Sequence, residues 1–217
     1  IKAGAKSAYV VKEPVLAAIG AGIPIHEPRG HMVVDIGGGT TDAAVISLGG
    51  IVSSISVKVA GNKVDQAISE YIKRHFNLAV GDSTAEEIKI NIGSAIPMDE
   101  ELTMTIKGRD FLTGLPRSLD IRTNEVVKAI DNELREIIKA IKQVLQNTPP
   151  ELAADIIESG ITMTGGGSLL RNLNVLVTRS TGVPANIAKD ALYCVARGTG
   201  IALEHLESYK KSIIAKR

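Results

Sequence analysis

The chain has 217 residues, 25 basic and 24 acidic side chains, a formal charge of +1 and 44% hydrophobic residues. That length holds one large domain or two small ones with real cores. A near-neutral charge and only 3% aromatics leave neither the basic footprint nor the stacking platforms of a nucleic-acid binder. The short basic tail, Lys210, Lys211, Lys216 and Arg217, reads as a solvated end. The single cysteine, Cys194, has no partner for an internal disulfide and suits a reducing cytosol. The longest apolar run, Pro14 to Ile25, is broken by Gly20, Gly22 and Pro24 and falls short of the roughly 20 residues of a membrane span. No signal peptide is visible, and an opening Ile1-Lys2-Ala3-Gly4 creates the expectation that the chain begins mid-protein.

Tyr9-Val10-Val11 predicts a short strand, followed by an apolar helix from about Pro14, where proline suits the first turn. Met32-Val33-Val34 predicts a second strand, Gly37 to Thr41 a tight turn, and Ala43 to Leu48 a returning strand. After Gly49-Gly50, the alternation over Ser54 to Val59 predicts another strand, and Val64 to His75 a helix. Ser83-Thr84-Ala85-Glu86 has the form of a capping box that would open the next helix. Thr103 to Ile106 and Arg117 to Ile121 predict two strands around a loop bearing Gly and Pro. A long amphipathic helix then shows one apolar face: Val126, Val127, Ile130, Leu134, Ile137, Ile138, Ile141, Val144 and Leu145. Pro149-Pro150 ends it. The remainder alternates: a helix over Leu152 to Ser159, strand Ile161 to Met163, a glycine turn, a helix from Leu169, a strand near Val183 to Ile187 and a last helix to about Glu207. Alternating strands and helices with one early meander give an α/β class with a mixed sheet flanked by helices. Residues 81–122 form a candidate small inserted α/β subdomain.

The strongest chemical signal is Val33-Val34-Asp35-Ile36-Gly37-Gly38-Gly39-Thr40-Thr41-Asp42. An apolar strand runs into an aspartate, three glycines and hydroxyls. Adjacent glycines permit unusual dihedrals and let backbone N–H groups converge on an anion such as a phosphate. Asp35, at the strand end, suits a hydrated Mg²⁺. The plainer reading is a glycine-rich hairpin turn. A second cluster, Met163-Thr164-Gly165-Gly166-Gly167-Ser168, also lies between a strand and a helix, where backbone can approach a ligand; alternatively, Ser168 is an N-cap of a tight turn. Two such units in one chain favour a shared ligand. Neither has the Gly-Lys-Ser/Thr of a Walker loop or the spaced glycines of a dinucleotide fingerprint.

Asp35 to Asp42 resembles the second phosphate loop of the actin, heat-shock chaperone and sugar kinase superfamily. Lys12-Glu13-Pro14 with Ala17 to Gly22 resembles its first connecting segment, Met163 to Leu170 its adenosine motif, and Gly198 to Ala202 its second connecting helix. Ala43 to Val52, Gly108 to Pro116 and Thr148 to Ile156 are similar to the MreB family of bacterial actins in particular, in its C-terminal half. The resemblance implies an actin-like ATPase fold, second half, with a five-stranded mixed sheet. Residues 1–22 would connect to the other half, 23–80 and 123–188 form the core, 81–122 the insertion, and 189–217 a connecting helix and tail. It implies ATP and Mg²⁺ as ligands. Glu13 would orient the attacking water, Asp35 hold Mg²⁺ through water, and Gly37, Gly38, Gly39 and Thr40 cradle phosphates. Glu86, Lys89, Gly165, Gly166, Gly167 and Ser168 would line the adenosine pocket, and Gly61 begins a turn on the base side. Asp42 would lie near the γ-phosphate. Arg109 and Asp110 match too, as a surface turn. From the residues alone, Glu13 is an acid favouring a helix N-terminus by about 0.3–1 kcal/mol, and Lys89 an ordinary helical lysine.

The family resemblance further implies a cytoplasmic protein at the inner membrane face. It would self-associate into ATP-dependent filaments that guide cell-wall synthesis with wall-synthesis and membrane morphogenesis proteins, its membrane contact lying in the other half. The first phosphate loop of the family also lies in that half. Hydrogen bonds to charged groups contribute about 1.5–3 kcal/mol each, so losing two or three weakens a micromolar site to millimolar or worse at about 1.4 kcal/mol per tenfold. The chain alone is therefore expected to bind ATP poorly and hydrolyse it negligibly. A chaperone-type nucleotide domain is the alternative reading; a sugar kinase would need a substrate base and specificity pocket that are not evident, and an inert interaction module is the blandest option.

Overall fold

A computed structural model describes residue 2, residues 4–209 and, as backbone, residues 213–216. Lys210, Lys211, Arg217 and the Lys216 side chain, the predicted basic tail, lie outside the described residues, as do Ile1 and Ala3. In chain order the elements are β1 (Tyr9–Val11), α1 (Glu13–Gly20), β2 (His31–Ile36), β3 (Thr41–Ser47), β4 (Gly50–Val57), α2 (Gly61–Phe76), β5 (Leu78–Ala79) and α3 (Asp82–Ile92). There follow β6 (Thr103–Asp110), β7 (Pro116–Arg122), α4 (Thr123–Gln146), α5 (Pro150–Ser159), β8 (Ile161–Thr164), α6 (Leu173–Thr181), β9 (Ala185–Ile187), α7 (Cys194–Glu204) and β10 (Ile213–Lys216). Short 3₁₀ turns at Gly166–Leu169 and Ala191–Tyr193 precede α6 and α7.

The main sheet has the order β4-β3-β2-β8-β9. β2, β3 and β4 are an antiparallel meander, whereas β8 pairs parallel with both β2 and β9. This is the expected mixed α/β sheet. Met32-Val33-Val34 of β2 is a continuous apolar run because both faces of the strand are covered. Met32, Val34 and Ile36 point into a core shared with α2, α3, α4 and α6. Val33 points the other way, into a second core made with α1 and Ala202 of α7. By the same alternation Asp35 belongs to the α1/α7 face.

A second, three-stranded sheet, β5-β6-β7, contributes Ile106 and Ile121 to the first core. The long helix α4 joins the two sheets. Its predicted stripe is the buried one, with Val126, Ile130, Leu134, Ile137, Ile138, Ile141 and Val144 all inside. Two local expectations fail. Ser83 does not cap α3: the helix starts at Asp82 with Gly81 as N-cap and no side-chain cap. The last long segment after the second glycine cluster does not become helical at Leu169. A 3₁₀ turn intervenes and α6 starts at Leu173.

α1 and α7 cross at backbone contact. A Cβ added to Gly20 would strike the Cys194 carbonyl, and one on Gly198 the Leu16 carbonyl, well inside van der Waals distance. Alanine favours a helix interior over glycine by about 1 kcal/mol, but backbone carbonyls cannot yield. Gly198→Ala is therefore expected to destabilise the chain by about 1–3 kcal/mol, as overpacking does, read as a lower denaturant midpoint at unchanged slope.

Candidate functional site

The two glycine clusters leave the same end of neighbouring parallel strands. Asp35 at the end of β2 stands opposite Thr164 at the end of β8, and the Thr164 hydroxyl donates to Asp35 Oδ1 at 2.6 Å with both side chains buried. Gly165 has φ +80°, and a Cβ there would collide with the Ile36 carbonyl; one on Gly167 would collide with the Ile36 side chain. The second loop is glycine because it lies directly on β2. Its N–H donates to Ala191 O at 2.9 Å. The Ser168 hydroxyl donates to Gly165 O at 2.7 Å, so Ser168 is a buried brace for the turn and not the cap of a helix.

The first loop is different. None of Gly37, Gly38 and Gly39 has positive φ, contrary to the expectation of unusual dihedrals, and a Cβ on Gly39 would meet nothing within 4 Å. Gly37 N–H donates to Thr40 O at 2.9 Å, and the Gly37 and Gly38 carbonyls accept from Gly61 and Asn62 at the start of α2 at 3.1 and 2.8 Å. The Gly38 and Gly39 N–H groups have no partner among the described residues. Packing does not demand glycine at Gly39; what its absent side chain leaves is an open approach to backbone donors.

Between the loops lies a cavity of about 590 Å³, within the size range of small-molecule sites. It brings together Glu13, Asp35, Gly37, Gly38, Glu86, Lys89, Gly165, Gly166 and Gly167 of the predicted residues. Gly39, Thr40 and Ser168 are not on its wall. Gly61 and Asn62 are, as the first turn of α2 rather than a loop. An apolar wall of Ile90, Leu169, Leu170, Leu192 and Val195 completes it, and sequence reading missed this wall. Ile90 gave one usable signal, since it lies off the α3 face that buries Ala85, Ile88 and Ile92. Lys89 is not an ordinary surface lysine: its ammonium donates to Asp65 Oδ2 at 3.0 Å and stands 2.9 Å from Oδ1, with both side chains mostly buried. A larger, more open groove of about 760 Å³ follows α4 and carries none of these residues.

The model of the MreB/Mbl protein family matches residues 1–211. The chain belongs to the MreB/Mbl family. The cell shape-determining protein MreB of Escherichia coli K12 is 48% identical over 207 residues, 95% of this chain and 60% of the relative. Crystal structures of MreB5 of Spiroplasma citri, one bound to ADP and one to AMPPNP, superpose with a TM-score of 0.87 at 44% identity. They cover 92% of this chain, which spans 61% and 60% of theirs. A MamK double helical filament matches with a TM-score of 0.72 at 27% identity, over 89% of this chain and 58% of that one. The chain thus spans about 60% of the length of the curated MreB it matches.

In this MreB/Mbl chain one end of the cleft is acidic. Asp42 is paired with Asp35 across β2 and β3, an arrangement of like charges that disfavours both. Glu13 opens α1 beside them. Burial, and then the charges of Asp35 and Asp42, push Glu13 above the ordinary carboxylate range. Burial also raises Asp35; the Thr164 hydrogen bond offsets part of this, and Asp42 adds to it. No group of three or more His, Cys, Asp or Glu side chains able to cage a metal occurs among the described residues.

Two outcomes test this reading of the site. A carboxylate whose folded pKa is raised adds stability below the ordinary carboxylate pKa and loses it as pH rises through the raised value. Ionised Asp35 therefore costs stability at neutral pH, and Asp35→Asn, which keeps an acceptor for Thr164, should raise Tm there. The gap should close as pH is lowered through the acid range, in thermal melts of both proteins. For the glycines, Gly165→Ala should destabilise by about 1–3 kcal/mol through strain at positive φ, whereas Gly39→Ala should stay within about 0.5 kcal/mol, both read by chemical denaturation.

Proposed function

We propose that this chain is the second half of a nucleotide-dependent, filament-forming MreB/Mbl protein, and that the cleft holds the phosphates and nucleoside of ATP. The observation that carries the reading is the convergence on one cavity of two glycine loops, an acidic end and an apolar end. Gly38 offers a free backbone donor on the cavity wall at the acidic end, where phosphates would sit, and Gly39, next in the chain but off the wall, carries another. Their N–H groups supply the electrostatic stabilisation that phosphoryl chemistry relies on. At the other end Ile90, Leu169 and Leu192 are solvent-exposed large apolar side chains that would cover the flat base. Glu86 and the Asp65-braced Lys89 stand between, in reach of ribose hydroxyls.

The residues present fit a metal–nucleotide pair better than a free anion. Three carboxylates beside the free Gly38 and Gly39 N–H groups would repel bare phosphates; with Mg²⁺ bound, charge on the phosphate oxygens would be neutralised. In that setting Asp35 would hold the metal and Glu13, at the α1 N-terminus, would orient a water for attack. Asp42 lies behind them in the sheet and tunes their charge. The relatives with bound ADP and AMPPNP support the nucleotide reading, and the MamK filament supports self-association. Guidance of cell-wall synthesis at the cytoplasmic membrane face, and division of this half into a core with residues 81–122 as a subdomain, belong to the same proposal.

A site built from half of the contacts is a weak one, so ATP affinity of this chain is expected in the millimolar range with negligible turnover. The test is amide NMR of the chain titrated with Mg-ADP. Gly38, Gly39, Glu86, Lys89, Gly166 and Gly167 should shift together, unsaturated until millimolar nucleotide. No shift at millimolar nucleotide rejects the site, and saturation at micromolar nucleotide rejects the half-site reading.

A further inference from the structure

The second glycine loop rests on two surfaces. Its start lies on Ile36 of β2, and its end lies on the C-terminus of α3. Gly93, the C-cap of α3, carries Leu170 against it: a Cβ there would meet Leu170 Cδ1 at 3.1 Å, besides striking the Lys89 carbonyl. Helix and loop therefore meet where the apolar end of the cavity is built, with Ile90 on α3 and Leu169 and Leu170 on the loop.

One side chain fastens this meeting. The last carbonyls of a helix have no partner inside it. Arg171 Nη1 donates to Gly93 O at 3.2 Å and Nη2 to Asn91 O at 3.4 Å, so a single guanidinium fork closes the end of α3. A cation is favoured there because the helix dipole is negative at that end. Arg171 forms no ion pair with an acid among the described residues. Neighbouring bonds lock the register. Ala95 N–H donates to Arg171 O at 2.8 Å, and the Asn172 amide, presented at φ +62°, donates to Ser94 Oγ at 3.0 Å. Ser94 is fully buried, and its hydroxyl donates to Ile96 O at 2.7 Å.

Arg171 is not on the cavity wall, yet each end of its clasp is one residue from that wall. Asn91 follows Ile90, and Arg171 follows Leu170. Ile90 and Leu169 are 65% and 57% exposed, so little packing of their own fixes them. Their separation is set by the backbones that carry them. The Lys89–Asp65 pair ties α3 to α2 and leaves the loop side to Arg171 and Asn172.

We propose that Arg171 is a positioning residue for the nucleoside end of the cleft. Its fork holds the end of α3 against the second glycine loop and so sets how far Ile90 stands from Leu169 and Leu170, the apolar side chains that would cover a flat base. The inference rests on the nucleotide reading of the cleft and adds a division within it. Backbone and strand pairing set the phosphate end, whereas a side chain that touches no ligand sets the nucleoside end. Such support matters because a site held about 1 Å too loosely loses its function. Lysine is a poor substitute, since an ammonium is a point charge on a flexible stem and not a rigid fork.

The test titrates the 217-residue chain with Mg-ADP and, separately, with Mg-pyrophosphate, which shares the phosphates and lacks the nucleoside, followed by amide NMR. In the parent both ligands should shift Gly38 and Gly39, and Mg-ADP alone should shift Glu86, Lys89 and Ile90. Arg171→Gln should lower the Mg-ADP affinity by about three- to tenfold, the size of a coupling between contacting groups, with the pyrophosphate affinity unchanged. Arg171→Lys keeps a cation at the helix end and should fall between the parent and Arg171→Gln; it carries the test where Arg171→Gln fails to fold. A purely structural role would not move the ratio of the two affinities. A ratio that stays constant in the variants, or moves the other way, overturns the proposal and leaves the nucleotide site standing. A parent chain that shifts with neither ligand at millimolar concentration overturns the nucleotide reading and the inference together.

Discussion

The contact on which the cleft depends is the seating of Gly165 and Gly167 against Ile36. No Cβ fits at either position without striking the Ile36 carbonyl or side chain. The turn after β8 can therefore lie flat on the end of β2. Were it lifted by a methyl group, the second glycine loop would move away from the first and the cavity would open. The parallel β2–β8 pairing supplies the alignment, and the Thr164 hydrogen bond to Asp35 ties the two strand ends together inside the core.

The sheet also sorts the chemistry by face. Alternation along β2 sends Val34 and Ile36 toward the large core and Val33 and Asp35 toward α1 and α7. The backbone crossing of α1 and α7 through Gly20 and Gly198 then holds the start of α1 close enough for Glu13 to join Asp35 on the cavity wall. Three carboxylates in one place work against stability, and burial works against the ionisation of Glu13 and Asp35. Such a cluster is what a site keeps when its ligand, not its fold, supplies the compensating charge.

The other end of the cleft is set by a different part of the structure. α3 presents Glu86, Lys89 and Ile90 to the cavity while burying Ala85, Ile88 and Ile92 in the core shared by both sheets. The ion pair between Lys89 and Asp65 links α3 to α2, so the helix holding the apolar end is braced to the helix whose first turn meets the loop of Gly37 and Gly38. The far end of α2 supports the β6–β7 hairpin tip through Asn77 and Lys73, which places the exposed Phe111, Leu112 and Leu115 away from the cleft.

Much of this was legible in the sequence because it is local. The apolar Met32 to Val34 of β2, the stripe of α4 and the helix-starting Glu13-Pro14 are patterns of neighbouring residues that period and turn chemistry read correctly. Both glycine triplets were read as loops, but the first lacks the positive φ its sequence suggested. Local patterns misled where a tertiary contact competed. Ser83 has the form of a cap, yet α3 starts before it, and Ser168 braces its own turn because Gly165 is pinned on Ile36. The wall of Leu169, Leu192 and Val195, the Asp65 partner of Lys89, and the exposure of Phe111, Leu112 and Leu115 were not legible at all. A leucine is apolar in any sequence; whether it is core, cavity wall or exposed tip depends on which distant elements cover it. By itself the sequence determined the mixed α/β class, the two loops and the carboxylates at the strand and helix ends, since those follow from backbone sterics and hydrophobic period. Only the tertiary structure decided which of these residues share one cavity, because that depends on strand pairing and helix crossings between residues more than a hundred positions apart.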